Sequence, residues 1–274
     1  MRDALLHYRF QDPWRAPPDL DLVIEGSCDA LVHRLQDNFG PQRVSNVLVH
    51  QQFSTAELVM DGVLLDLATA RTETYPAPGQ NPIVQSGVLG EDLARRDFTI
   101  NAMALVLQSD GSQLLMDPHG GQQHLASRLL VFLHDSSVAD DPTRVIRAAR
   151  YGARLGFHLA PEALVQLGST LAAWPWAWRH GDPVDAVPPA LGTRLRMELD
   201  LLLEQEPWHE ALGLLQKWTA MSLLDPGLQS EPRLKRRLDW AARLGLPAMA
   251  ALVAAASDPI ALGQRLQIPL QQQR

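Results

Sequence analysis

The segment Asp19-Leu20-Asp21-Leu22-Val23-Ile24 sets two carboxylates one residue apart. On a strand, both aspartates face one side and both leucines face the core. Two carboxylates so placed repel one another unless a divalent cation neutralises them, and Mg²⁺ favours such oxygen ligands together with substrate phosphates. The bland alternative is a solvated edge of a half-buried strand. A second apolar run, Val63-Leu64-Leu65-Asp66-Leu67, carries a single acid, and an acid there needs a partner or a metal. Asp66 is then either a third carboxylate beside Asp19 and Asp21 or the partner of Arg71 or an equivalent arginine.

Two further segments concentrate polar chemistry. In Glu91-Asp92-Leu93-Ala94-Arg95-Arg96-Asp97-Phe98-Thr99-Ile100-Asn101, charge and amide groups adjoin an apolar run. Arg95 and Arg96 suit a phosphate or ribose clamp, while Asp97 and Asn101, four apart, can hydrogen-bond on one helical face. The same pattern also reads as a helix start with an internal ion pair. In Asp140-Asp141-Pro142-Thr143-Arg144, an acid before proline predicts a helix start, with Asp141 as N-cap and Pro142 at the first helical position. Arg144, Arg147 and Arg150 follow every third residue along one side of that helix, with no acid four places on. That row suits an anionic ligand, or else a solvated face.

The elements that must position these groups divide the chain. From Asp19 to about Leu105, short β-branched and leucine-rich runs alternate with Pro, Gly and polar clusters, which predicts an α/β half. From Asp141 onward the apolar residues recur at helical spacing, with breaks at Trp174 to Pro189 and Asp225 to Pro232. The net charge of −7 argues against a general basic surface for nucleic acid, so any RNA contact must be local. Of the 24 basic residues only Lys217 and Lys235 are lysine, a bias that suits planar recognition of phosphates and base edges or reflects genome composition. One cysteine, Cys28, forms no internal disulfide and fits a small packing residue in a reducing, cytoplasmic protein. No apolar stretch approaches the roughly 18 residues of a membrane span.

Taken in order, these segments resemble the class II tRNA nucleotidyltransferases (CCA-adding enzymes) and the related bacterial poly(A) polymerases, over about the first 220 residues. Arg2-Asp3-Ala4-Leu5-Leu6 with Asp19-Leu20-Asp21 resembles the first motif of that family, and Arg95 to Ala104 the ribose-recognising second. Asp117-Pro118-His119-Gly120-Gly121 is similar to the third, Asp140 to Arg144 to the nucleotide-selecting fourth, and Thr193 to Leu199 to a weakened fifth. The resemblance implies a DNA polymerase β-like α/β nucleotidyltransferase head over 1–125, an all-α neck over 126–205 and a partial helical body over 206–274. It implies transfer of CMP or AMP, or both, from CTP and ATP to a tRNA 3′-hydroxyl with release of pyrophosphate. A poly(A) polymerase and an inactive RNA-binding remnant are the alternatives.

In that scheme Asp19 and Asp21 hold Mg²⁺, and Asp66 completes the catalytic acids. Arg2, Asp3, Arg95, Arg96, Asp97, Asn101, Asp141, Arg144, Arg147 and Arg150 bind the nucleotide. Asp141 would accept from the exocyclic amino group of cytosine or adenine, and Arg144 would donate to the neighbouring ring acceptor. The sequence departs from the family pattern at His7, His124 and Thr193. The expected glycine pair and first strand before Arg2 are missing, and the helical segment from Ala261 to Leu270 ends early at Gln271-Gln272-Gln273-Arg274.

Overall fold

The order of strands and the register between them follow from one tight turn. Asp61 and Gly62 both adopt positive φ, 50° and 84°, which is what a two-residue hairpin of primed type requires and what Asp-Gly tolerates. The turn joins β3 (Thr55–Met60) to β4 (Val63–Thr69) with Met60 opposite Val63, and so sets Glu57 opposite Asp66. Ahead of these strands lie α1 (Arg2–Phe10), β1 (Leu20–Ile24), α2 (Cys28–Phe39) and β2 (Val44–His50). The four strands form one sheet in the order β1-β4-β3-β2, with β1 parallel to β4 and the other pairs antiparallel.

Helix α2 starts at Ser27, whose hydroxyl accepts from the Ala30 N–H at 3.2 Å, a cap of the expected type. It covers one face of the sheet, where Cys28 and Val32 pack with Val44, Ala56, Leu58 and Leu67. Cys28 is a packing residue there, and burial pushes its thiol up from the ordinary value. The leucines of β1 lie on this same face but, contrary to the expectation that they face the core, they stay exposed: Leu20 is 47% and Leu22 37% exposed. The reason is that α2 packs against β2, β3 and β4, whereas β1 is the edge strand.

The computed structural model describes residues 1–15 and 19–268, so the chain end expected from 269 onward lies outside the described residues. Two compact units emerge, one formed by 1–74 with 83–125 and the other by 75–82 with 126–274. The first continues with β5 (Arg71–Thr74) paired to β6 (Ile83–Ser86), α3 (Leu89–Ala94), the hairpin of β7 (Ala104–Leu107) and β8 (Gln113–Met116), and α4 (Gly121–Ala126). Gly121 is required at the start of α4, because a Cβ there would stand 2.4 Å from the Thr99 carbonyl oxygen.

The second unit is mainly helical. A short parallel bridge of β9 (Leu129–Leu130) with β10 (His158–Leu159) flanks α5 (Ser137–Asp140) and α6 (Thr143–Leu155). There follow α7 (Pro161–Ala173), α8 (Thr193–Gln205), α9 (Trp208–Lys217), α10 (Leu234–Arg243), α11 (Ala248–Val253) and α12 (Pro259–Arg265). Helix α6 packs on α8 and α9, and its Val145, Ile146, Ala148 and Ala149 are all fully buried. The Trp- and Pro-rich break between α7 and α8 is itself part of the core, with Trp174, Trp176 and Trp178 buried. Among the described residues no helix is long and apolar enough to cross a membrane.

Candidate functional site

The face of the sheet opposite α2 carries the acids. Asp21 is the register partner of Asp66, and Asp66 the partner of Glu57. Paired residues on neighbouring strands point to one side, so Asp21, Asp66 and Glu57 form a row across three strands. Asp19 stands just before β1 and is within electrostatic reach of Asp66. Burial, and then repulsion from Asp21, Glu57 and Asp19, pushes the Asp66 carboxyl up from its ordinary value; His50 opposes this. Of the two readings open for Asp66, the third-carboxylate one describes this placement, since Arg71 is engaged with Glu73 at 2.9 Å. Among the described residues no cluster of three or more His, Cys, Asp or Glu is already gathered as a metal cage.

A second network in the first unit is built on Asp92, which is 1% exposed. Its Oδ1 accepts from Arg95 Nη2 at 2.6 Å and its Oδ2 from Arg96 Nη2 at 3.0 Å. Burial works against the charged Asp92, yet Arg95 and Arg96 together hold its carboxyl below the ordinary value. Arg95 also donates to Glu73 at 2.7 Å. Both arginines of the expected clamp are thus oriented by acids of their own chain. Asp97 accepts from Asn101 Nδ2 at 2.9 Å, and Asn101 Oδ1 accepts from Arg2 Nη1 at 2.8 Å. Arg2 in turn donates to Asp3 at 2.8 Å.

The hydrogen bond anticipated between Asp97 and Asn101 is therefore present, but not along an α-helix. Helix α3 ends at Ala94, Phe98 is extended, and Thr99–Asn101 forms a single tighter turn. The Phe98 N–H donates to Asp97 Oδ1 at 2.8 Å, so the side chain itself shapes the backbone here.

In the second unit, Asp141 is extended while Pro142 already has helical dihedrals (φ −62°, ψ −16°). By hydrogen bonding α6 begins one place later, at Thr143, a shift within the ordinary scatter of helix ends. Asp141 still caps the helix, its Oδ1 accepting from the Thr143 N–H at 3.1 Å and hydroxyl at 2.6 Å. Its Oδ2 is paired with Arg194 of α8.

The row of arginines on α6 also has acidic partners, although these come from α8 and its C-cap and not from four residues on, where Arg147 instead meets the Tyr151 hydroxyl at 3.3 Å. Arg147 donates to Glu198 of α8 at 3.0 Å. Arg150 is paired with Glu198 and lies 3.2 Å from Glu206, while Arg154 is paired with Glu206, whose side chain is fully buried. The absence of an acid along α6 thus did not mean the absence of one in space. Arg144, 4% exposed, donates to His134 Nε2 at 3.2 Å.

Comparison with known proteins places this architecture. Residues 1–131 match the poly A polymerase head domain. The chain is 39% identical over 272 residues to the CC-adding tRNA nucleotidyltransferase of Deinococcus radiodurans, covering 97% of this chain and 64% of that protein. It is 34% identical over 240 residues to the A-adding tRNA nucleotidyltransferase of Aquifex aeolicus, covering 87% of this chain and 26% of that one. A solved CCA-adding enzyme in an apo form superposes with a TM-score of 0.78 at 26% identity, over 99% of this chain and 62% of its own. A tRNA nucleotidyltransferase solved with a primer tRNA and an incoming ATP analogue gives 0.66 at 29% identity, over 93% and 69% of the two chains.

Residues 1–131 form a poly A polymerase head domain, and the chain is similar over most of its length to tRNA nucleotidyltransferases. It spans less than two thirds of the length of these two curated relatives. Its first unit has the nucleotidyltransferase head fold and its second is helical. Asp19 and Asp21, then Arg95, Arg96, Asp97 and Asn101, then the start of α6 fall on the first, second and fourth motif-like segments, while Glu57, Asp66 and Asp92 lie outside them. Thr193 to Leu199, the weakened fifth, opens α8 and supplies Arg194 and Glu198 to α6.

Reading the sequence missed Glu57, Asp92, His134, Arg194, Glu198 and Glu206. Glu57 was findable, since Asp61-Gly62 fixes the hairpin register that sets it opposite Asp66. Asp92 was findable too, because Arg95 and Arg96 stand three and four residues on and the internal ion pair offered for that segment is present; His134, Arg194, Glu198 and Glu206 become visible only when separate elements meet.

Proposed function

We propose that this protein is a template-independent tRNA 3′-end nucleotidyltransferase that transfers CMP or AMP, or both, from CTP and ATP, acting in the cytoplasm. The RNA 3′-oxygen forms a bond to the α-phosphorus, the bond from that phosphorus to the bridging oxygen breaks, and pyrophosphate leaves as the hydroxyl proton is lost. The single observation that carries this reading is the acid row, in which the pairing of Asp21 with Asp66 puts oxygen donors on one open face. The donor set suits a hard divalent cation, because it is all carboxylate, and burial together with the neighbouring acids raises Asp66.

Asp19 and Asp21 would hold Mg²⁺, with Asp66 beside them. When bound, such a cation lowers the pKa of the attacking hydroxyl and neutralises charge on the triphosphate. Arg95 and Arg96, oriented by Asp92, present guanidinium groups for ribose or phosphate, and Arg2 with Asp3 and Asn101 with Asp97 complete that surface. In the second unit Asp141 and Arg144 select the base: the carboxylate accepts from an exocyclic amino group, and the guanidinium donates to the adjacent ring acceptor. Uracil and guanine present a carbonyl where the amino group is required. Arg147 and Arg150, tied to Glu198 and Glu206, act in this scheme by fixing α6 and through it the selecting pair.

Incubating the protein with Mg²⁺, tRNA lacking its terminal CCA and each labelled nucleotide tests the proposal. Incorporation of C, A or both in short defined additions is the expected result. Long A tails would assign a poly(A) polymerase instead, and no incorporation above background would leave an RNA-binding remnant.

A further inference from the structure

Arg144 is held by a chain of side chains in which each link dictates the next. A guanidinium nitrogen only donates, so His134 Nε2, 3.2 Å from Arg144 Nη1, must accept and carries no proton. The ring proton then resides on Nδ1, which faces Ser136 Oγ at 3.1 Å. Ser136 in turn donates its hydroxyl proton to Asp140 Oδ2 at 2.7 Å. The backbone beneath the ring is fixed as well, because the His134 carbonyl accepts from the Ser137 N–H at 3.1 Å and from Gln166 Nε2 of α7 at 2.7 Å.

We propose that His134 is a positioning residue for nucleotide selection: its neutral ring, oriented by Ser136 and Asp140, aims the Arg144 guanidinium at the incoming base. This rests on the reading of Arg144 as a base-contacting residue. Without His134 the guanidinium keeps its charge but loses an acceptor that fixes its plane, and planarity is what reading a ring edge demands.

The arrangement makes the aim dependent on pH. The charged groups facing the ring among the described residues are Arg144 from α6, Asp140 from α5 and Asp135 beside it, while α7 contributes the neutral Gln166. Burial and then Arg144 hold His134 below its ordinary 6.5, against the opposing pull of Asp140 and Asp135. Protonation places a hydrogen on Nε2 and turns the acceptor into a donor pointing at a cation. The contact is therefore intact above the folded pKa and lost as pH falls through it, at values under 6.5.

The test is calorimetric titration of the full chain with CTP and with ATP in Mg²⁺ buffer, from pH 8 to pH 5. It uses the wild type, His134→Ala, His134→Gln, Arg144→Ala and the His134→Ala/Arg144→Ala double variant. Gln can place an amide oxygen where Nε2 stood and does not titrate. At pH 8 His134→Ala should bind about 3- to 10-fold more weakly, the range expected when one hydrogen bond of ordinary net strength is lost, and His134→Gln should recover most of that loss. Wild-type affinity should fall below pH 6.5 relative to His134→Gln; titration of the terminal phosphate is common to both and cancels in the ratio.

If Arg144→Ala binds both nucleotides as wild type does, the reading of Arg144 itself fails. If Arg144→Ala weakens binding and His134→Ala does not, only the role of His134 is overturned. Equal weakening by His134→Ala with and without Arg144 also overturns it, since the ring would then act by another route. Should His134→Ala not fold, parallel pH profiles for wild type and His134→Gln would decide against the proposal, and diverging profiles for it.

Discussion

The acid row on the sheet of the first unit and the arginine row on α6 of the second handle charge in opposite ways. Across β1, β4 and β3, Asp21, Asp66 and Glu57 are set side by side by strand register, and burial and then repulsion raise Asp66. Along α6, Arg147, Arg150 and Arg154 are each met by Glu198 or Glu206 from beyond the helix. Unrelieved like charge marks a place that an ion or substrate would complete. Neutralised charge under cover marks a scaffold, because a buried ion left unpaired carries a large desolvation penalty. In sequence, Asp19 with Asp21 and Arg144 with Arg147 and Arg150 both read as like charges at regular spacing, and their partners distinguish them.

The largest effect should come from the acid row. Asp21→Ala is expected to abolish incorporation of labelled nucleotide while leaving the thermal unfolding curve nearly unchanged; retained turnover would break the assignment of that face to metal binding. In the arginine row the pattern should reverse. Glu206→Ala leaves Arg150 and Arg154 without their fully buried partner, and should lower stability by about 3–5 kcal/mol in denaturant titration, the usual consequence of breaking one half of a buried pair. A loss under about 1 kcal/mol would mean that the row is solvated and open to an anionic ligand after all.

The smallest change sharpens the contrast most directly. A carboxyl raised in the folded state binds protons more readily there than in the unfolded chain, so its ionised form opposes folding at neutral pH. Stability linked to Asp66 therefore rises as pH falls through the folded pKa toward its ordinary 3.8. Asp66→Asn should accordingly raise the melting temperature in metal-free buffer, by no more than about 2 °C for a chain of this size. A fall instead of a rise would show Asp66 to be favourably paired, with the row then no different in kind from the one on α6.

The sequence by itself determined the local features whose causes are local. Alternation put Asp21 on the side of β1 away from Leu20 and Leu22, with Asp19 just before the strand and not on it, Asp-Gly at 61–62 held enough information to fix a hairpin, and Asp141 before Pro142 announced a helix start. The ordered motif-like segments carried the resemblance as well, since each is a short run whose residue types are read without knowing what lies opposite. Tertiary structure alone decided which charges meet. Leu20 and Leu22 alternate as core residues do, yet stay half exposed because α2 does not extend over the edge strand. Arg194, Glu198 and Glu206 reach α6 from about 50 residues further along the chain, and Arg265, 1% exposed, donates to the carbonyls of Leu191, Leu223 and Leu224. Periodicity fixes the side of an element on which a residue lies, whereas the partner of a charge depends on how separate elements dock. For that reason the acids were legible as a candidate site from residue order, while the hold of His134 on Arg144 and the pairing of the arginine row came only from the folded chain.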